Sequence, residues 1–219
     1  MSIAPFVALA ALPAPPIDEL ALSLAAEFKE VDEDAAVTRL DELGEEVAVL
    51  REERGGPHAG MEALREVLAV RHGFGGDGQR VDHPDNSMLN VVLERRRGLP
   101  ILLSVLYMAT ARRAGIALSG VGLRGHFVVG DFSTGSAPLL LDPFAGGAPV
   151  APDRPRDVRP WGAHETMLRM LNNLVAAYGR RADLMRTILA AELRLALPLG
   201  EPKIYALRTE LGALRARLN

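Results

Sequence analysis

Apolar residues recur at three- and four-residue spacing through the first part of the chain, the pattern of helices with one buried face. Val37, Leu40, Leu43, Val47 and Leu50 form such a stripe and predict a helix over residues 32–53, closed by Gly55, Gly56 and Pro57. Pro15 and Pro16 open a helix over residues 17–30, with Asp18 and Glu19 in its first turn, where carboxylates suit the positive end of the dipole. A third helix is expected over residues 61–71, stopping at Gly73. Asn86 or Ser87 is expected to cap a further helix reaching to about residue 96.

The pattern then changes. Residues 100–114 are apolar nearly all round (Ile101, Leu102, Leu103, Val105, Leu106, Met108), so this helix must be buried on most faces. Pro100 suits a first helical position and Gly115 a C-cap. Strand-like runs follow over 118–123, 126–131 and 138–142, the last two joined by turn-forming residues. A hairpin that pairs Asp131 with Ala137 would set His126 opposite Asp142, with Cβ atoms about 4.5–5.5 Å apart on one face. A slip of one residue would send the two side chains to opposite faces. Helical periodicity returns over 165–179, 183–197 and 201–218. Leu168, Leu171, Leu174 and Val175 on the first and Leu184, Ile188, Leu189 and Leu193 on the second predict a packed helical pair. The chain therefore reads as α+β: an N-terminal helical region (1–72), a mixed core (73–150), a Pro/Arg-rich linker (151–162) and a C-terminal helical region (163–219). Trp161, the only tryptophan, is expected to pin that last region to the core.

Composition removes several functions. A length of 219 residues suffices for one sizeable core. A net charge of −3 gives no footprint for nucleic acid. No run approaches the roughly 20 apolar residues of a membrane helix. Residues 1–16 are apolar and Ala-rich, but no basic residue precedes the run and Pro5 and Pro13 interrupt it, so a cytoplasmic chain is expected. Gly73, Gly75 and Gly78 match G-x-G-x-x-G, yet they follow a helix rather than a strand and read as a loop. His83, Asp85, His126 and Asp142 are metal-ligand types without ligand spacing, and no metal or cofactor is expected. The chain contains no cysteine, which excludes disulfides, thiolate metal sites and a cysteine nucleophile together.

The stretch DHPDNSMLNVVLERRRGLPILLSVLY, followed by GHFVVG and DPFAGG, resembles the SirB-type family of transglutaminase-like proteins, and the phrases PIDELALSLAAEF and RMLNNLVAAY resemble its flanks. The resemblance implies a papain/transglutaminase-like core, in which a buried central helix packs on a small antiparallel sheet, followed by a tetratricopeptide-like helical tail. It also implies a G-x-C-x-x-x-A motif at the start of the core helix in active members of the superfamily. Here that motif falls on Gly98-Leu99-Pro100, with Ser104 at the small position, while His126 and Asp142 match the family's His and Asp.

Pro100 carries no nucleophile, so thiol acyl transfer is excluded. The expected function is that of a non-catalytic, binding or regulatory protein that takes a protein or peptide partner or a small ligand in a cleft near His126, without nucleic acid or membrane. Asn86, Ser87, Pro100, Tyr107 and Arg97 are the candidate binding residues, and Asn86 is also a candidate to stabilise an oxyanion. The alternative is a Cys-independent hydrolase, transferase or isomerase using His126 and Asp142, with Ser104 as nucleophile. Ser104 lies one turn beyond Pro100 on the same helix face, where its hydroxyl is expected to bond a backbone carbonyl within the buried helix instead.

Overall fold

The longest apolar stripe folds as helix α3 (Glu33–Arg54), started by Asp32, whose carboxylate accepts a hydrogen bond from the Ala35 amide at 3.0 Å. Leu40, Leu43, Val47 and Leu50 are all buried. The structure, a computed structural model, describes residues 3–78, 83–133, 138–151 and 157–218. Asp82, the turn around Ala137 and much of the linker lie outside these residues. Ahead of α3 come α1 (Phe6–Ala10) and α2 (Ile17–Ala26). The apolar start of the chain is folded into the core: Phe6 and Ala10 are fully buried. Beyond α3, α4 (Ala59–Leu64) runs on into a π-helical stretch, Arg65–Arg71.

Residues 84–98 form the approach to the central helix. A 3-10 turn (Pro84–Ser87) leads into α5 (Leu89–Arg95). Neither Asn86 nor Ser87 caps α5: Met88 occupies the N-cap with no side-chain bond, because both polar residues are turned inward and buried in the preceding turn. Two-residue strands β1 (Gly75–Gly76) and β2 (Arg97–Gly98) pair in parallel, so the glycine-rich loop is held against the chain just before Pro100.

Central helix α6 (Pro100–Arg113) has the all-round burial its composition requires, with every residue from Ile101 to Tyr107 buried. Burying each of its leucines contributes roughly 1.5–3 kcal/mol relative to exposure, which makes this helix the axis of the core. The helices α2, α3, α4 and α5 pack on it from one side and the sheet from the other. That sheet is antiparallel in the order β3 (Ser119–Leu123), β4 (His126–Asp131), β5 (Leu139–Asp142) and β6 (Ala148–Val150). Strand β6, short and proline-containing, has no signal in the sequence pattern.

The β4–β5 register differs from the expected one. Asp131 pairs with Leu139 and Val129 with Leu141, so His126 and Asp142 are not directly opposed. The loop keeps two more residues than the hairpin arithmetic assumed. Because side chains alternate with a period of two, a shift of two leaves both residues on the same face.

The chain returns from the sheet through Trp161, whose amide donates to the Gly120 carbonyl at 2.8 Å. Its indole stands edge-on to Phe127, with ring centroids 5.5 Å apart, and covers Gly122, where a Cβ would collide with it. Helices α7 (Ala163–Arg180) and α8 (Leu184–Leu193) pack against each other, and α9 (Glu201–Arg215) packs on α8. One hydrophobic cluster runs from Phe6 to Leu207, so the flanking helices share their core with the sheet and α6.

Candidate functional site

Strand β4 begins directly after a two-residue turn, Arg124–Gly125, in which Gly125 adopts φ +73°, a conformation that favours glycine. This turn sets His126 at the mouth of a cleft. Asp142, the last residue of β5, reaches across the strand pair: its Oδ2 lies 2.8 Å from His126 Nε2. Its Oδ1 accepts the Phe144 amide at 2.9 Å, so the carboxylate is held from both sides. The carboxylate assigns the ring proton to Nε2, leaving Nδ1 as the lone-pair nitrogen with no partner among the described residues. Phe144 stands edge-on to the imidazole, 6.2 Å between centroids, and limits its rotation. Chemically, this is an oriented imidazole able to accept a proton or a hydrogen bond from whatever enters the cleft.

The cleft has a volume of about 380 Å³ and opens between the start of α6, the beginning of β4 and one face of α7. Pro100 lines it, half-buried, at the first position of α6, together with His126 and Ser87. Ser87 is only 1 % exposed, and its Oγ has no hydrogen-bond partner among the described residues. Leu99 donates its amide to the Asn86 carbonyl at 3.2 Å, which ties the Pro84–Ser87 turn to the head of α6.

The remaining sequence candidates lie elsewhere. Ser104 is fully buried beneath the sheet and does not line the cleft. Its Oγ lies 3.5 Å from the carbonyl oxygen of Phe127 on β4 rather than bonding a carbonyl of its own helix, because the sheet packs directly on this face of α6. Asn86 is also turned away from the cleft and donates its side-chain amide to Asp77 at 3.3 Å. Arg97 donates to the Gly73 carbonyl and holds the glycine loop instead of lining the cleft. Tyr107 is completely buried on α6 with its hydroxyl unpartnered; burial pushes its pKa well up, and the nearby Asp142 charge adds to this against Arg65. The family-matched pair therefore meets at the cleft, joined by Pro100 and Ser87, while Ser104, Asn86, Tyr107 and Arg97 support it from behind or beside. Among the described residues no three His, Asp or Glu side chains converge as a metal site would need.

Beside the cleft, Asp85 gathers Lys29, Arg95 and His83. Lys29 Nζ lies 2.8 Å from one carboxylate oxygen, Arg95 3.1 Å and His83 3.6 Å from the other. Burial alone would raise the Asp85 carboxyl, but the Lys29 hydrogen bond and the charges of Lys29, His83 and Arg95 outweigh it and hold the group below the ordinary carboxylate range. A depressed folded value means that the unfolded chain takes up its proton first as pH falls. The stabilisation is therefore complete above about pH 4 and is lost as pH drops through the lower folded value. In urea melts, the stability gap between the natural chain and Asp85→Asn is expected to be widest near neutrality and to shrink on acidification below about pH 4. A gap that stays constant with pH would show that Asp85 acts only through its shape.

Sequence reasoning missed the third wall. Arg169, Asn173, Ala176, Ala177 and Arg180 lie on one face of α7 and line the cleft opposite Pro100. Their spacing of four, three or four, and three or four is that of a helix face. The signal was present in the sequence, but the polar residues on it look like any solvated stripe.

The overall likeness agrees with this geometry. A family model for the transglutaminase-like superfamily matches residues 34–186. A UPF0162 protein of Xylella fastidiosa (strain 9a5c) is 34% identical over 162 residues, covering 65% of this chain and 57% of the relative. UPF0162 protein PA3419 of Pseudomonas aeruginosa is 31% identical over 173 residues, covering 77% and 59%. F-box only protein 21 of Mus musculus is 35% identical over 71 residues, which is 32% of this chain and 11% of that one. The chain thus spans less than two thirds of the length of these bacterial relatives. No solved structure matches it. The matched stretch runs from α3 into α8 and encloses Pro100, His126 and Asp142, and on that extent this chain belongs to the transglutaminase-like superfamily.

Proposed function

We propose that this chain is a binding member of the transglutaminase-like superfamily, of the SirB-type branch, whose cleft at His126 holds a small ligand or the end of a protein partner without acyl transfer. The observation that carries the reading is Pro100. It stands at the head of α6 on the wall of the cleft that also holds the His126–Asp142 pair, where the superfamily pattern calls for the nucleophilic thiol. An imidazole oriented by a carboxylate is kept, while position 100 offers it no thiol to activate. Ser104 cannot stand in, since its hydroxyl is buried and directed at a backbone carbonyl. The C-terminal helices α7–α9 are read as the tetratricopeptide-like tail, with α7 supplying one wall of the cleft. The cytoplasm is the proposed compartment, supported by the packing of the apolar start, Phe6–Ala10, into the core. Among the described residues no helix is long and apolar enough to cross a membrane.

Ala176 gives a direct test, because it lines the cleft from an exposed helix position. A soluble fragment library screened by NMR should yield compounds that move the His126 imidazole resonances of the natural chain, and Ala176→Trp, which fills the cleft, should abolish those shifts. A natural chain whose His126 resonances answer to no fragment would overturn the reading.

A further inference from the structure

The cleft carries two permanent cations. Arg169 and Arg180 line it, and among the described residues no Asp or Glu does, in a chain whose net charge is −3. Arg169 is half-buried, and among the described residues no carboxylate pairs with it. Its guanidinium carbon lies instead 5.4 and 5.9 Å from the ring centroids of Phe127 and Trp161. Burial lowers the Arg169 pKa from its ordinary value, as a cation without a counter-charge requires. These two cation–π contacts hold the Arg169 side chain in place beside the cleft and leave its N–H groups to be satisfied from the cleft side.

The donors continue around the cleft. Asn173, one turn along α7 from Arg169, has no side-chain partner among the described residues and lines the same wall. Across from it is the start of α6, a 14-residue helix with no side-chain cap. The amides at the start of an α-helix have no intrahelical acceptor, and Pro100 and Ile101 of this first turn line the cleft. Between them sits Ser87, 1 % exposed and with an Oγ unpartnered among the described residues. A buried hydroxyl left unmatched is costly unless something arrives to match it. The intervening wall is apolar: Pro100, Leu99, Phe127, Phe144 and the two alanines.

Building on the binding function proposed above, we infer that the ligand of this cleft carries a carboxylate attached to an apolar body. The carboxylate is recognised by Arg169 and Asn173 of α7, with Ser87 and the head of α6 completing its shell, and the apolar body lies along Phe127 and Phe144. A planar guanidinium matches a carboxylate through two parallel hydrogen bonds. In the superfamily pattern the head of this helix carries a thiolate; here the negative charge comes with the ligand. The carboxylate belongs either to a free acid or to the C-terminus of a polypeptide, and the two present the same chemistry to Arg169.

The probes are N-acetyl-leucine, its C-terminal amide, and an N-acetylated tetrapeptide ending in leucine with a free carboxylate, each titrated into the full chain and followed by the His126 and Arg169 side-chain NMR signals. The free acid is expected to bind about tenfold or more tightly than the amide. Arg169→Gln is expected to erase that preference, whereas Arg95→Gln, outside the cleft, is expected to leave it intact. A tetrapeptide that binds more tightly than the single residue identifies a polypeptide end, and equal binding identifies a small acid. If acid and amide move the His126 signals alike and Arg169→Gln changes nothing, the carboxylate inference fails while the binding cleft stands. If none of the three probes moves His126 and no other fragment does so either, the binding reading fails with it.

Discussion

Replacing Pro100 by Cys is expected to produce a thiol that ionises well below the ordinary value of about 8.5, with an alkylation midpoint at about pH 7 or lower. Two features act on it. The introduced side chain stands at the first position of α6, where the unsatisfied amides and the helix dipole favour a negative charge. It also shares the cleft with His126, whose Nε2 is held by Asp142 and whose Nδ1 is free to take the thiol proton. The substitution is sterically mild, since position 100 is half-buried and a first-turn residue makes no intrahelical amide bond. Rates of iodoacetamide alkylation measured across pH would show the midpoint directly. Adding His126→Ala is expected to move it back toward the ordinary value by about one unit, the scale of a neighbouring charge. A midpoint at the ordinary value that is indifferent to His126 would mean that the pair and the helix head are not arranged as a thiol site.

The second large effect lies far from the cleft. Asp18 is 1 % exposed and accepts hydrogen bonds from Arg112 at 2.9 Å and Arg113 at 2.6 Å, and Arg113 also contacts Asp41. This network fastens α2 and α3 to the C-terminal end of α6. Burial alone would lower the Arg113 pKa, but the hydrogen bonds and charges of Asp18 and Asp41 raise it overall. Asp18→Ala removes one partner of a buried pair and leaves the Arg113 guanidinium without its main anion, a loss of about 3 kcal/mol. For a chain of this size that corresponds to a fall in Tm of about 6–12 °C. Scanning calorimetry would read it. A change within about 0.5 kcal/mol, the range of ordinary surface substitutions, would mean that the pair contributes nothing net.

How far these features can be read from the sequence depends on the range of the interaction. The α3 stripe and the all-round apolar run of α6 are visible because helical period and burial are local properties of side-chain order, and both appear in place. The meeting of His126 and Asp142 is visible for a different reason. The alternation of a strand fixes which face a residue occupies, so the pairing survived a register that differed by two residues. The number of residues in the loop, which sets the register itself, is a property of turn geometry that composition does not reveal. Asp18 shows the opposite limit. In sequence it is a first-turn acid like Glu19, and only the packing of α6 against α2, some ninety residues later, brings two arginines to it. The α7 wall is hidden in the same way, since Arg169 and Asn173 gain meaning from what stands across the cleft. Asn86, Ser104 and Tyr107 lie near Pro100 in sequence. Each is inside the protein, where its side chain serves the packing around α6.

The most direct test of the central claim, that this superfamily cleft binds without reacting, is the hydrolysis of an activated acyl ester such as p-nitrophenyl acetate by the natural chain, compared with His126→Ala and Pro100→Cys. The account predicts no burst and no saturable turnover by the natural chain, with rates equal to those of His126→Ala, and acylation only once the thiol is introduced at position 100. A saturable reaction of the natural chain that disappears in His126→Ala would contradict it and make the His126–Asp142 pair catalytic as it stands.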